Sequence, residues 1–409
     1  GSVRLPRSAG GKGRREADEA NKPAEVEAIE AFLFSQAEFR HNVITHHCEI
    51  RWTEEAGFLP LTDRDVNTLW GRMNKTVGRV YLTDIYNVIH SEFVPLFNPF
   101  QSYFDHLPSW DGVSDPIGDL ADTVHVKSDQ AEFRDYFRKW FVGILPALLD
   151  DTVVNHEILV LIGEQGLYKT TWFNFLLPPE LRCYFYTKTN SDRLNKDDLF
   201  SLTEFALICF EELDGMRPAE LNQLKAMVTM PYVNERAAYG RNKERHPHIA
   251  SFCGTGNNVQ FLTDPTGNRR WLPFEVSQIR DPHLHAIPYE LVYSQAYALW
   301  KSGFCHWFSQ EEIRKLNMHN SRFEVPNLEE DLIRTHFRKP FEGEAGIFVT
   351  AADILEQISS CLRYPLSPNK IGRIMAGLEF ESIRYKGKRG YVTVKKTGED
   401  IDGPQPHGH

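Results

Sequence analysis

Gly163-Glu-Gln-Gly-Leu-Tyr-Lys-Thr-Thr171 has the residue types that hold a nucleoside triphosphate: two glycines, then a lysine and hydroxyls side by side. Phosphates need backbone N–H groups curled around them, a lysine on the outer phosphates and a hydroxyl on Mg²⁺, all at the start of a helix. From Gly163 to Lys169-Thr170 the spacing is that of G-x-x-x-x-G-K-[ST], with Tyr168 standing where the last glycine is usual. Gly163, Glu164, Gln165, Gly166, Leu167, Tyr168, Lys169, Thr170 and Thr171 are therefore the candidate nucleotide-binding residues. If the loop grips phosphate, the Tyr168 ring should point away from it while its N–H faces inward.

Hydrolysis asks for more. A phosphate-bound Mg²⁺ needs an acid at the tip of a neighbouring strand, and water needs a carboxylate to orient or activate it. Ala206-Leu-Ile-Cys-Phe210, followed by Glu211-Glu212, offers both. The spacing alone does not say which glutamate does which job. Gly254-Thr-Gly-Asn-Asn258 adds a polar turn whose asparagine could place the attacking water, and Asp264-Pro-Thr-Gly-Asn-Arg-Arg-Trp271 puts two arginines after a turn. A guanidinium aimed at developing phosphate charge raises rates by several powers of ten and can come from another subunit. Arg236, Arg241, Lys243 and Arg245 around Tyr239 suit a single strand, with cations for phosphates and a ring for base stacking.

The elements that must carry these residues are legible in the apolar patterning. Ile158-Leu-Val-Leu-Ile162 is an unbroken apolar run ending at a glycine, as in a strand buried on both faces of a parallel sheet. Ala206–Phe210 and Ile249-Ala-Ser-Phe-Cys253 repeat it, with helical or mixed stretches between, so an α/β core with right-handed crossovers is expected over about 151–280. Upstream, Ile29, Phe32 and Leu33, then Tyr136, Phe137, Trp140, Phe141, Ile144 and Leu145, recur at helical spacing, which predicts a helical unit over 25–150. Residues 1–24 read as a disordered leader and 398–409 as a disordered tail. Downstream, Ala351–Ile358 and Ser367–Ala376 read as two helices, the second with Ser367 as N-cap and Pro368 in its first turn. The hairpin Ser382–Val394 around Gly387 follows. Helix, helix and basic hairpin predict a winged-helix domain over 326–397, whose Lys370, Arg373, Arg384, Lys386, Lys388 and Arg389 would meet DNA phosphates.

A chain of 409 residues with net charge −10 is no uniformly basic DNA-coating protein, although local basic strips remain open to it. The six cysteines lack any C-x-x-C or zinc spacing, which fits a reducing compartment and makes the cytoplasm the expected location. No apolar run approaches the roughly 18–20 residues that cross a bilayer, so no membrane partner is expected. His46-His47-Cys48 is too tightly adjacent to converge on one metal ion and is read as structural.

The order of these pieces resembles the virulence-associated E (VirE/VapE-like) family, a group with superfamily 3 helicases, the AAA+-type ATPases of phages, genomic islands and other mobile elements. The resemblance rests on Gly163–Thr170, Glu211-Glu212-Leu-Asp-Gly-Met216, Leu224-Lys-Ala226, Glu235-Arg-Ala-Ala-Tyr-Gly-Arg241, Gly254-Thr-Gly-Asn257 and Asp264–Trp271, with Phe97–Gly112 upstream. It implies that Lys169 contacts the β/γ-phosphates of ATP, Thr170 and Glu211 hold Mg²⁺, and Glu211 and Glu212 form the acidic pair. Asn257 would be the polar sensor, with Arg270 first and Arg269 second choice as arginine finger. The stretch from Arg236 to Arg245 would lie in a hairpin facing the pore of a homo-oligomeric, hexameric ring. The expected fold is an AAA+ P-loop core over 151–325, and the expected activity ATP-dependent helicase or translocase action on single-stranded or forked DNA, with a primase as possible partner. The rival readings are a nucleotide-gated DNA-binding or antiviral-defence ATPase that assembles without unwinding, and a small-molecule P-loop kinase.

Overall fold

The computed structural model describes residues 24–54, 57–189, 196–235, 244–263, 268–325, 328–341, 343–359 and 367–396. The chain divides into a larger unit, Gly1–Phe323, and a smaller one, Glu324–His409, two residues from the boundary expected from sequence.

The larger unit begins with α1 (Val26–Gln36), β1 (Ala37–Asn42), β2 (His47–Trp52), β3 (Leu59–Pro60), α2 (Asp63–Thr76), α3 (Leu82–Ile89) and β4 (Leu96–Phe97). The strands form one sheet in the order β3-β2-β1-β4. Residues 25–150 are thus not the helical unit that sequence predicts. β1 and β2 are short, and their alternating inward residues Ala37, Phe39, Cys48 and Ile50 pack on Leu33, Leu69 and Ile85 of the helices. So few alternating positions, preceded directly by a helix, are easily absorbed into a helical reading.

Next come α4 (Pro99–Asp105), α5 (Pro116–Ala121), β5 (Val124–Val126) and α6 (Gln130–Leu149), then β6 (Ile158–Ile162), α7 (Lys169–Phe175) and β7 (Phe185–Lys188). α8 (Lys196–Glu204), β8 (Leu207–Phe210), α9 (Pro218–Val228), β9 (Tyr232–Glu235), β10 (Glu244–Pro247), β11 (Ser251–Gly256) and β12 (Trp271–Ile279) follow. The unit closes with α10 (Tyr289–Lys301) and α11 (Gln310–Asn320). Six strands make the central sheet, in the order β5-β12-β6-β11-β8-β7. β12, β6, β11, β8 and β7 run parallel, and β5 is antiparallel to β12 at the edge. This is a mixed α/β fold with a parallel sheet.

The sheet is buried on both sides, and strand alternation deals its residues to two cores. Leu159 and Leu161 of β6 face Phe137, Trp140, Phe141, Trp172 and Tyr293 of α6, α7 and α10. Ile158, Val160 and Ile162 face Leu221, Leu224 and Val228 of α9. A strand apolar at every position is what two covered faces require. Because α6 and β5 belong to this core, no structural divide falls at residue 150.

The smaller unit holds α12 (Leu328–His336), β13 (Phe337–Arg338), β14 (Ile347–Val349), α13 (Ala351–Ser359), α14 (Pro368–Gly377), β15 (Ser382–Tyr385) and β16 (Lys388–Lys395). β16 pairs with β13, β14 and β15, and Ile354, Ile358, Ile371, Met375 and Tyr391 form its core. Ser367 caps α14 by accepting from the Lys370 N–H, with Pro368 in the first turn, as the sequence predicts. No helix among the described residues is long and apolar enough to cross a membrane.

Candidate nucleotide site

β6 ends at Ile162, and the chain turns through Gly163–Tyr168 before α7 begins at Lys169. Tyr168 adopts the left-handed conformation, φ 60° and ψ 18°, and Gly166 has φ 87°. The position where the familiar motif carries glycine therefore does need a positive φ here, a strain of about 1–2 kcal/mol for a non-glycine residue. The Tyr168 side chain is 42% exposed, and its carbonyl accepts from Trp172 N at 2.7 Å, which starts the helix.

Parallel register brings the ends of β6, β8 and β11 together at this loop, because Gly254–Gly256 pairs with Val160–Ile162 and Cys253 with Cys209. Lys169 Nζ donates to the carbonyls of Gly163 and Glu164, both at 2.7 Å, and to Asn257 Oδ1 at 3.4 Å. Thr170 Oγ1 donates to Glu211 Oε1 at 2.8 Å. Sequence separations of 41 and 88 residues collapse to hydrogen-bond distance. Burial lowers the Lys169 pKa, opposed by the nearby Asp214 carboxylate. Glu212, at φ 55°, is a second left-handed non-glycine residue, directly beside the Thr170–Glu211 pair.

Asp214, to which sequence reasoning gives no role, ties this corner together. Its Oδ1 accepts from Asn257 N at 3.1 Å and its Oδ2 from Asn258 N at 3.0 Å. The two glycines of Gly254-Thr-Gly256 make the approach possible. A Cβ on Gly254 would sit 2.2 Å from Leu213 Cδ1, and one on Gly256 would sit 3.0 Å from Asp214 Oδ1. The available signal is the acid three residues after Glu211, on a turn that must meet a glycine-bearing strand end.

Gln165, Gly166, Leu167, Tyr168, Lys169, Thr170, Thr171, Glu211, Glu212 and Asn257 all line one cleft of about 420 Å³, within the size range of small-ligand sites. Its donor set suits a polyphosphate with a divalent cation. The ammonium now satisfied by loop carbonyls is free to exchange them for phosphate oxygens, and a hydroxyl already paired with a carboxylate is a hard-oxygen site of the kind Mg²⁺ prefers. A larger cleft of about 730 Å³, bordered by Arg40, Asn42, Tyr103 and Tyr184, contains none of these residues.

The arginines lie elsewhere. Asn268–Arg270 is a short 3-10 turn that feeds β12, and Trp271 pairs with Ile158 at the start of β6. Arg269 and Arg270 thus stand at the opposite, N-terminal ends of the strands from Gly163, roughly 20 Å away along the strand. Arg269 is exposed and Arg270 half-buried. Burial, then Arg269, lowers the Arg270 pKa, and burial pushes the neighbouring Glu157 carboxyl up to about 7. Among the described residues, no ion pair joins either arginine to a carboxylate.

Arg236, Tyr239, Arg241 and Lys243 lie outside the described residues. Arg245 is exposed on β10, antiparallel to β9, with its guanidinium 3.4 Å from the Tyr232 ring centroid. In the smaller unit Arg373, Lys386, Lys388 and Arg389 are exposed, whereas Lys370 is bound to the buried Glu329 carboxylate. Among the described residues no cluster of His, Cys, Asp or Glu could hold a metal ion, and Cys48 is buried with its thiol toward Ile89 O.

A parallel sheet that gathers a lysine-threonine loop, a paired glutamate and an asparagine at its strand ends defines the class: a mixed α/β protein with a polar cleft at the C-terminal ends of its central strands. The model of the virulence-associated protein E-like domain matches residues 105–325, more than half of the 409-residue chain. The chain belongs to that family, as its sequence motifs imply. No curated protein matches it. Its structure is similar to that of the apo NrS-1 C-terminal region, with 12% identity, 91% of this chain and 99% of that one covered, and a TM-score of 0.47. A slighter similarity, 14% identity with 48% of this chain and 27% of the other covered and a TM-score of 0.24, is to the S. cerevisiae Hsp104–ADP complex.

Proposed function

We propose that this protein is an ATP-driven DNA translocase or helicase of the superfamily 3 type, with an AAA+ core, serving replication of a mobile element. The observation that carries the reading is the convergence of Lys169, the Thr170–Glu211 pair and Asn257 on one cleft, from three separate strand ends. In this reading Lys169 takes the outer phosphates, Thr170 and Glu211 hold Mg²⁺, Glu212 activates water and Asn257 orients it. The bound cation would neutralise charge developing on the transferred phosphoryl group.

Arg270, with Arg269 beside it, stands at the far ends of the strands and would serve the cleft of a second copy. Such a head-to-tail contact is heterologous and, where its rotation closes, makes a ring, for which a hexamer is the proposed count. The segment between β9 and β10, with Arg245 at its base, would face single-stranded DNA. The smaller unit would be a winged helix that contacts DNA, and a primase is a fitting partner for such a motor.

The test is Mg²⁺-dependent ATP hydrolysis with and without single-stranded DNA, and unwinding of a forked duplex. Lys169→Ala should reduce DNA-stimulated hydrolysis by at least about 100-fold; unchanged hydrolysis would show that the cleft is misassigned. Nucleotide-dependent assembly on DNA without strand separation would favour the binding or defence role instead. If mixing Arg270→Ala with Lys169→Ala subunits restores no activity, the shared site is wrong and a self-contained kinase-like site gains ground.

A further inference from the structure

The hairpin β15–β16 of the smaller unit is strongly basic. Residues 382–396 contain Arg384, Lys386, Lys388, Arg389, Lys395 and Lys396 and no acid, within a protein of net charge −10. The register sets Arg384 opposite Arg389 and Tyr385 opposite Lys388. Like charges directly opposite destabilise a strand pair, so a bound polyanion would relieve this arrangement. At the tip, Lys386 and Gly387 turn the chain with φ 48° and 78°. Beside them the Tyr385 ring is 52% exposed, with Lys386 Nζ 5.3 Å from its centroid. One edge of the ring is steadied by Phe348, at 5.4 Å between centroids.

α14, the helix that would enter a groove in a conventional winged-helix complex, is poorer. Of its two cations, Lys370 is bound to Glu329, whose side chain is only 5% exposed, so moving that lysine onto a phosphate would break an ion pair to a buried carboxylate. Arg373 is the other. Its remaining outward positions include Asn369 and Ala376, a thin set for reading base edges.

We infer that the hairpin, rather than α14, is the DNA-binding surface of this unit, and that it prefers DNA with unpaired bases. The cations would follow the phosphates while Tyr385 stacks on one exposed base, a contact that an intact duplex closes off. The inference rests on the nucleic-acid reading given above and adds which surface binds and which form of DNA it selects.

The test is fluorescence anisotropy of the full chain on a labelled single-stranded oligonucleotide and on the matching blunt duplex, over a salt series from about 50 to 200 mM. Tyr385→Ala should weaken single-strand binding about tenfold without changing the salt slope, leave duplex binding unaltered, and be rescued by Tyr385→Phe. Lys388→Gln with Arg389→Gln should reduce the salt slope by about 2 on both DNAs. If Arg373→Gln weakens binding while the hairpin variants bind like the parent, α14 is the surface, and this inference fails while DNA binding stands. Hairpin-dependent binding to anionic phospholipid vesicles with none to DNA would also overturn it. A parent chain that binds neither DNA overturns the broader reading as well.

Discussion

The two ends of the parallel sheet present opposite situations. At the C-terminal ends of β6, β8 and β11, the polar groups have found partners: Lys169 on loop carbonyls and Asn257, Thr170 on Glu211, and Asp214 on two backbone N–H groups. At the N-terminal ends, Arg269 and Arg270 stand side by side at the start of β12, near Glu157, whose carboxyl burial pushes up to about 7. One end is assembled within a single chain, and the other holds cations with no ion-pair partner among the described residues. The difference teaches that the cleft is organised by contacts within one chain, whereas the two arginines are held at the strand ends without an ion pair to a carboxylate among the described residues, the feature on which the proposed role in trans rests.

Removing the arginine should break this contrast most sharply. Arg270→Ala is expected to lower kcat for ATP hydrolysis about 1,000-fold while nucleotide affinity, measured by calorimetry, changes little. A large loss of affinity would instead place Arg270 in its own chain's cleft. Asp214→Asn sharpens the other side: it weakens the hold on the Asn257 and Asn258 N–H groups and removes the charge near Lys169. A roughly tenfold loss of kcat is expected, with a smaller change in nucleotide affinity, seen by steady-state kinetics beside calorimetry.

The pH dependence of stability, compared between the parent and a Glu157 variant, probes the arginine end of the strands. Glu157 binds its proton more tightly in the folded state, pKa about 7, than its ordinary value of 4.5. Its contribution is therefore present below about pH 4.5 and is lost as pH climbs through about 7. The stability difference between the parent and Glu157→Gln, followed by chemical denaturation, should shift against the parent by up to about 3 kcal/mol over that window. The smallest expected effect is at the loop. Tyr168→Gly removes left-handed strain, so a gain of up to about 1 kcal/mol in chemical denaturation with hydrolysis retained is expected. A loss of stability would mean that the tyrosine's contacts outweigh its backbone strain.

Much of the larger unit was legible because its central strands are short apolar runs that close on glycine or a polar pair, a pattern that neither a half-exposed strand nor a surface helix produces. β6, β8 and β11 fall where the three runs predict them, and the loop and acids follow from their ends. The strands β1 to β4 were not legible, since a few alternating residues beside a strong helix carry little periodic signal. In the candidate site the lysine, threonine, glutamates and asparagine announce themselves by type and spacing. Asp214 does not, because its role depends on a backbone passing within 3.1 Å that lies 43 residues away.

By itself the sequence determined which short segments carry the residue types for the proposed site, and that the central strands must be buried on both faces, because these follow from local residue chemistry and period. Tertiary structure decided what those segments meet. Parallel register of β6 with β11, and of β11 with β8, puts Lys169, Glu211 and Asn257 in one cleft, and the register of β6 with β12 carries Arg269 and Arg270 to the other ends of the strands. Packing also committed Lys370 to a buried glutamate and left the β15–β16 cations facing water. Pairings of this kind join residues far apart in the chain, and no local pattern encodes the distance between them.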